Sequence, residues 1–462
     1  MNIFSHFADN ERGISRAGVI LLLPFILLIT AYAVYKLFLI PDPVVSGLEE
    51  FRFLPAEKIV RITGEHLKSI SIHVMQENQI KEILNDKPET GDKTYDLTIK
   101  PKTLGLSDGP ARIFVHAKAG PLKEIKQELN IQIDTVPPAL EVVRAPFQIY
   151  QGSGGFAVLR AKDADSVFIK LDDMEFPAFR TSSGEESQKP SSGDFNYDPM
   201  IVSGKKSILP ADYYVFFAAP FEIKEGKTFY AIALDKAGNR SVRSLRTQMK
   251  IKKFRTSSIS ISDGFINSVV APLLNTTDIK DPVGAFKKVN EDWRSAALVE
   301  LSKLTKQSEP TLLWKGRFLQ LKNSKVMAEY GDIRTYTYGG KAISRSAHLG
   351  YDLASHANAP VEAANSGIVR FAGNFNIYGE TVIIDHGMGL MTLYGHLAMI
   401  AVEEGEQVSK GDIIGKSGST GLAGGDHLHF GVVIHGHEVS PLHWWDPRWV
   451  KVNIEDHINY KH

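Results

Sequence analysis

The stretch "SISIHVM", residues 69–75, places Ile70, Ile72 and Val74 on one face of an extended strand and His73 on the other, where solvent is its natural surrounding. Short runs with this period of two follow one another after "PDP" (41–43), and alternation returns to dominate a glycine-rich segment near the C-terminus. A chain patterned this way buries its apolar residues mainly by forming sheets, so the fold is expected to be mainly β. "GPARIFVHAKAG" (109–120) and "TFYAIALDKAG" (228–238) both end in Lys-Ala-Gly, which hints at two related modules. Pro137 and Pro138 in "DTVPPALEV" fall where one β-domain would give way to the next. Two β-sandwich modules are therefore expected, over 42–136 and 137–252. The insertion "RTSSGEESQKPSSGD" (180–194) has no apolar residue to bury and reads as a loop.

The segments "DTVPP" and "ALDKAGN" resemble junction and late-strand patterns of bacterial immunoglobulin-like domains, at low specificity. Helical spacing then begins at "DPVGAFKKVNEDWRSAALVELSKL" (281–304), with Asp281 as N-cap and Pro282 in the first turn. Val283, Phe286, Val289, Trp293, Ala297, Leu301 and Leu304 form one apolar stripe, which must bury against a neighbouring domain. The stretch 253–327 is accordingly a helical connector.

Near the N-terminus "AGVILLLPFILLITAYAVY" (17–35) runs without charge and continues past Lys36 into "LFLIP". That length suits a helix crossing a bilayer core of about 30 Å. A cleaved signal peptide could use "AYA" (31–33), but the apolar run extends beyond it and favours a retained transmembrane anchor over 17–40. Arg12 and Arg16 precede the span and only Lys36 follows closely. This bias leaves residues 1–16 as a cytoplasmic tail of a single-pass protein of the cytoplasmic membrane, with the rest in the periplasm or extracytoplasmic space.

The 53 basic residues balance the 53 acidic ones, so no global field draws the chain to nucleic acid. The absence of cysteine excludes disulfides, thiolate metal sites and a cysteine nucleophile, and any metal must bind through His, Asp or Glu.

Nine of the fifteen histidines lie between 348 and 443, in three informative groups. "HLGYD" offers His348 and Asp352 at an even step along a strand; "LYGHL" offers His396 at a strand end; "GGDHLHFGV" offers His427 and His429 on one strand face. A catalytic zinc site takes three protein ligands from His and carboxylate and keeps a fourth position open. An imidazole and a carboxylate from the first group with one imidazole from the third would supply that set, leaving two histidines for proton handling and oxyanion stabilisation.

The order H-x-x-x-D, then His after a Tyr-Gly pair, then H-x-H followed by Phe, resembles the lysostaphin and LytM-like zinc metallopeptidases that cut peptidoglycan peptides. "SAHLGYDLASHANAPVEAANSGIVRFAG", "YGETVIIDHGMGLMTLYGHL", "VSKGDIIGKSGSTGLAGGDHLHF" and "VSPLHWW" carry the similarity across 328–450. The resemblance implies an antiparallel β metallopeptidase domain there, one Zn²⁺ held by His348, Asp352 and His429, and His396 with His427 as the catalytic pair. It also implies a zinc endopeptidase acting on peptidoglycan. Apart from the resemblance, the membrane is expected to be engaged through the N-terminal helix, and envelope proteins are expected partners of the β-modules. The alternative is a non-catalytic LytM-like regulator that binds or activates other cell-wall hydrolases; the full set of five positions argues against it.

His356, His386, His435, His437 and His443 lack ligand spacing and read as structural or surface residues, and Trp444, Trp445 and Trp449 as a cap on the core. Tyr351 and Asp426 adjoin the ligands, and either could orient a metal-bound imidazole. The connector is expected to pack beside the catalytic groove and partly cover it, with Asn275 of "PLLNTTD" as a candidate ligand donor, or else to pack against the second β-module.

Overall fold

The computed structural model describes residues 16–35, 40–181 and 210–458, with the side chains of the first helix described from residue 24 onward. The expected cytoplasmic tail, apart from Arg16, and the polar insertion from residue 182 onward lie outside the described residues. A helix does form over Arg16–Val34, with Pro24 in its interior. That proline removes a backbone donor, and among the described residues no helix is long and apolar enough to cross a membrane. The structure thus does not support a transmembrane anchor over 17–40, and residues 36–39 lie outside its description.

The chain divides into two compact units, residues 1–137 with 236–239 and residues 138–235 with 240–462. In the first, the strand Gly109–Gly120 pairs antiparallel with Ser69–Gln76 and with Lys123–Ile133. A second sheet forms around Lys58–Glu65, flanked by Val44–Ser46 and Lys93–Ile99. The two sheets close on one core, in which Ile70, Ile72 and Val74 meet Val60 and Ile62. The alternation of "SISIHVM" is therefore the inward and outward alternation of a sandwich strand, with His73 half-buried beside Glu82 at 3.7 Å.

The second unit opens with another pair of four-stranded antiparallel sheets, one centred on Ser153–Lys162 and Ala211–Ala219, the other on Ser166–Leu171 and Tyr230–Leu234. Of the two Lys-Ala-Gly triplets, the first ends a strand, whereas the second lies in the turn before Arg240–Ser244, so the shared letters occupy different places. This sandwich is not free-standing. Its Phe156, Phe216 and Phe217 belong to the same core as Trp314, Phe318, Ile434 and Trp444 of the C-terminal domain, and the Phe216 and Trp444 rings lie 5.9 Å apart. At Gly154 the sheets approach so closely that a Cβ would stand 2.5 Å from Ile434 Cδ1.

The C-terminal domain is built on an antiparallel sheet whose central strands are Tyr351–Ala354, Leu428–Ile434, Leu390–Gly395, Glu380–Asp385 and Gly367–Asn374, in that order. Every residue of Leu428–Ile434 is buried, because both faces of the sheet are covered. On one face Phe430, Val432 and Ile434 join the core shared with the second sandwich. On the other, Val433, Met391, Leu393 and Ile383 receive Phe286, Val289, Ala297 and Leu301 of the connector.

That connector helix runs continuously over 282–305. Asp281 caps it by accepting from Gly284 N at 2.9 Å, with Pro282 in the first turn. A π-helical stretch, Lys288–Trp293, interrupts the α geometry and brings Asn290 fully inside. Of the two packings expected for the connector, the one against the C-terminal domain is found. Asn275 is exposed in a left-handed turn and contributes nothing to a site.

Candidate metal centre

The strands Tyr351–Ala354 and Leu428–Ile434 pair so that Asp352 stands directly opposite His429. Cross-strand partners in an antiparallel ladder hold their Cβ atoms about 5 Å apart, so register alone brings the carboxylate to the imidazole. His348 lies just before the first strand, its backbone N–H bonded to Asp332 O at 2.9 Å. On the other side of Leu428–Ile434 the cross-strand partner of His429 is Gly395, which leaves the next residue, His396, room to turn in. His396 adopts the left-handed conformation (φ 62°), a strained state for a residue with a Cβ. It is held there by its own N–H on Tyr378 O at 2.7 Å and by its Nδ1–H on Thr420 O at 2.8 Å. The Thr420 loop can come this near because Gly379 and Gly421 cross at a separation that no side chain would permit, a Cβ on either standing 2.4 Å from the other's N.

All five histidine and aspartate positions singled out in the sequence, His348, Asp352, His396, His427 and His429, line one cavity of ≈ 150 Å³. Within it His348 Nε2, Asp352 Oδ1 and His429 Nδ1 converge: 2.8 Å between His348 and Asp352, 3.1 Å between His348 and His429, and 3.1 Å between His429 and Asp352. His348 donates its Nδ1–H to Glu329 O at 3.0 Å, so in the neutral ring Nε2 is a lone pair. That lone pair faces a carboxylate oxygen, which can only accept. Two acceptors at 2.8 Å repel unless a proton or a metal cation lies between them, and two ligands at about 2.1 Å from a tetrahedral ion stand about 3.4 Å apart, a few tenths wider than the spacing here. The donor set thus fits a single Zn²⁺, and it is the one group among the described residues that meets metal-binding geometry.

Burial would by itself raise the Asp352 pKa, but the charge that His348 carries when protonated, with hydrogen bonds from His348, His427 and His429, holds it well below the ordinary carboxylate range. His429 is driven down to about 4 by burial, against the pull of Asp352, so both side chains are ready as unprotonated ligands. Arg334 extends from the strand Ile333–Tyr338 and places Nη2 3.0 Å from Asp352 Oδ2, fixing the second carboxylate oxygen.

His396 and His427 stand beside this trio, with ring centroids 4.8 Å apart. Both have a fixed tautomer: His427 donates Nδ1–H to Gly425 O at 2.8 Å, as His396 does to Thr420 O, leaving each Nε2 a lone pair. Their basicities diverge. Burial, then the neighbouring His427 and His429, hold His396 at about 3. Burial lowers His427 too, but the hydrogen bond and charge of Asp352 outweigh it and raise the ring above its ordinary value.

Residues 346–441 match peptidase family M23. The C-terminal region is an M23 peptidase domain. Over 95 residues the chain is 41% identical to the DD-carboxypeptidase/endopeptidase Mpg of Neisseria meningitidis, covering 21% of this chain and 22% of that one. Over an equal length it is 39% identical to the peptidoglycan DD-endopeptidase ShyA of Vibrio cholerae, covering 21% and 22%. The match thus spans about a fifth of the length of these relatives. Among solved structures, the catalytic domain of lysostaphin from Staphylococcus simulans is 30% identical, with 28% of this chain and 96% of that one covered and a TM-score of 0.23.

Around the M23 centre the remaining sequence candidates sort by contact. Neither Tyr351 nor Asp426 touches a ligand: Tyr351 packs edge-on to Trp445 at 5.2 Å, and Asp426 accepts from Ser417 Oγ and Asn358 N, pinning the loop before His427. His356 is exposed, and His386 is buried between Ser366 O and Thr392 Oγ1. His435 stacks on Phe179, His437 approaches Phe176, and His443 stacks on Trp449. Trp444 and Trp445 fill the core beside Phe318 and Phe430.

Three polar side chains of the M23 cavity were missed by sequence reasoning: Arg334, Tyr378 and Arg294. Arg334 sits in an alternating strand with nothing local to set it apart. Tyr378, wholly buried, stands 5.0 Å from the His429 ring and donates to Glu438 Oε1 at 2.7 Å. Arg294 could have been suspected, because Asn290, Arg294 and Ala297 follow one another at helical steps on the buried side of the stripe, a costly place for polar groups without a task.

Proposed function

We propose that the chain is a zinc endopeptidase hydrolysing peptide bonds in peptidoglycan, in cell-wall remodelling or division. The observation that carries this reading is the confrontation of His348 Nε2 with Asp352 Oδ1 beside His429 Nδ1, an arrangement that calls for a divalent cation in a cavity open to a peptide. A Zn²⁺ bound there supplies Lewis-acid polarisation of a carbonyl and makes water acidic enough to attack near neutral pH. The chain's own residues do the rest. His427, the more basic of the pair, takes the proton from the attacking water at Nε2 and returns it to the leaving amine. His396 stays neutral and accepts a hydrogen bond at Nε2, which orients that water. Arg334 brings a fixed positive charge to the oxyanion that develops on the attacked carbonyl, at no cost in reorganisation.

The M23 relatives named above, a peptidoglycan DD-endopeptidase among them, support the substrate class. Anchoring of the N-terminal helix in the cytoplasmic membrane, with the catalytic domain on the outer side, belongs to the same proposal. It is supported by the uncharged run 17–35. The test is to incubate the zinc-loaded full chain with purified peptidoglycan and identify released fragments by mass spectrometry, with His427→Ala as control. Cleaved peptide cross-links released by the unaltered chain alone are expected; intact material from both would overturn the reading. Membrane fractionation and protease accessibility of whole cells test the anchor, and recovery of the full-length chain in the wash would remove it.

A further inference from the structure

His429 shares its sheet face with Val433, the face that the connector helix covers. The helix therefore passes over the edge of the metal cavity, and at that point it carries Arg294, whose side chain lines the cavity with the metal-ligand positions. The guanidinium is fixed in place: Nε donates to Asn290 O at 3.2 Å and Nη2 to Asn290 Oδ1 at 3.0 Å. Asn290 is fully buried and anchored in turn, its Nδ2 donating to Ser344 Oγ at 2.9 Å, while Ser344 donates to Glu291 Oε1 at 2.6 Å. A buried amide spent on holding a cation at a cavity wall is the support expected of a preorganised binding group.

Among the described residues no carboxylate meets this guanidinium at ion-pair distance, and Glu438 feels its charge only through space. Arg334, the other arginine of the cavity, is paired with Asp352, whereas Arg294 forms no ion pair among the described residues. Glu438, buried behind the cavity, accepts a hydrogen bond from the Tyr378 hydroxyl at 2.7 Å. Two guanidiniums against one carboxylate leave the cavity net positive, and a divalent cation adds to the excess. Such a wall is complementary to an anion, and the edge of the fork that Asn290 leaves free, Nη1 with one Nη2 hydrogen, has the shape to meet a carboxylate.

We propose that Arg294, delivered by the connector helix, is the specificity-determining residue that binds a carboxylate of the substrate peptide beside the scissile bond. This rests on the reading of the cavity as a peptidase site. The carboxylate has two sources, a free C-terminus next to the bond or an acidic residue within the peptide.

The experiment measures binding of three synthetic stem peptides to the zinc-loaded full chain by calorimetry. One is Ala-γ-Glu-Lys-Ala-Ala with both carboxylates free, one has the C-terminus amidated, and one has the glutamyl α-carboxylate amidated. The unaltered chain should bind the free acid about tenfold or more tightly than one of the two amides, and that amide identifies the source. Arg294→Gln, with unchanged zinc content, should bind the free acid and that amide alike, and Arg294→Lys should keep part of the preference. Equal binding of all three peptides by the unaltered chain, a preference that survives in Arg294→Gln, or no binding of any peptide would overturn the proposal. If Arg294→Gln does not fold, the preference of the unaltered chain and its partial retention in Arg294→Lys decide. Peptidoglycan cleavage is followed in parallel. A carboxylate preference without cleavage removes the hydrolase and leaves the subsite, while cleavage with an unaltered preference in Arg294→Gln removes the subsite alone.

Discussion

A Cβ on residue 350 would stand 2.5 Å from His429 Nε2, so Gly350 and His429 occupy space that only a bare backbone and an imidazole can share. The same Cβ would meet Phe430 O at 2.7 Å, a backbone atom that cannot step aside. Gly350→Ala should therefore turn the His429 ring off its ligand position and weaken zinc binding by about tenfold or more, as disturbed ligand orientation typically does. Chelator competition measures this; an unchanged dissociation constant would mean that the ring is free to relax.

Asp352→Ala removes the oxygen ligand and also leaves Arg334 without its partner. Zinc content after dialysis, read by atomic emission, should fall well below one ion per chain. Full occupancy in this variant would take Asp352 out of the site.

His396→Ala and His427→Ala should retain zinc and lose turnover by about a hundredfold or more each, since their work is done at the proton and at the reacting water. Loss of metal from a folded variant, or near-normal cleavage, would contradict the division between ligands and catalytic pair.

Glu438 gives a stability signature that does not depend on activity. Burial raises its pKa to about 7, against the hydrogen bond from Tyr378, so between the ordinary value near 4.5 and 7 the folded chain holds a proton that the unfolded chain has released. Stability then falls as pH rises through that window and levels off above it, by about 3 kcal/mol in the limit. Glu438→Gln carries no charge at any pH. It should match the parent in urea unfolding at pH 5 and exceed it at pH 8, and parallel curves across the window would show that Glu438 is not held protonated.

Where side-chain spacing reports directly on backbone geometry, the chain could be read in advance. Alternation at Ile70, Ile72 and Val74 is the inward face of a strand, and the steps from Phe286 through Val289 and Ala297 to Leu301 are the buried face of a helix. The five metal-site positions share one cavity because ladder register places Asp352 beside His429 and a left-handed turn aims His396. Arg334 and Tyr378 could not be read the same way. Each reaches the cavity through packing between segments distant in sequence, and such packing leaves no local period. The sharing of a core between the second sandwich and the C-terminal domain was hidden for the same reason, since Phe216 and Trp444 are ordinary buried aromatics until the strands are assembled.

Because Phe156, Phe216, Trp314 and Trp444 form one continuous interior, the peptidase is not a cassette that can be lifted out at the limits of its family match. Cutting the chain at residue 328 would lay bare the indole of Trp444 and strip the connector from Met391 and Val433, exposing oily surface on both sides of the sheet. A fragment that keeps this interior intact has to begin near residue 138 and keep what lies between.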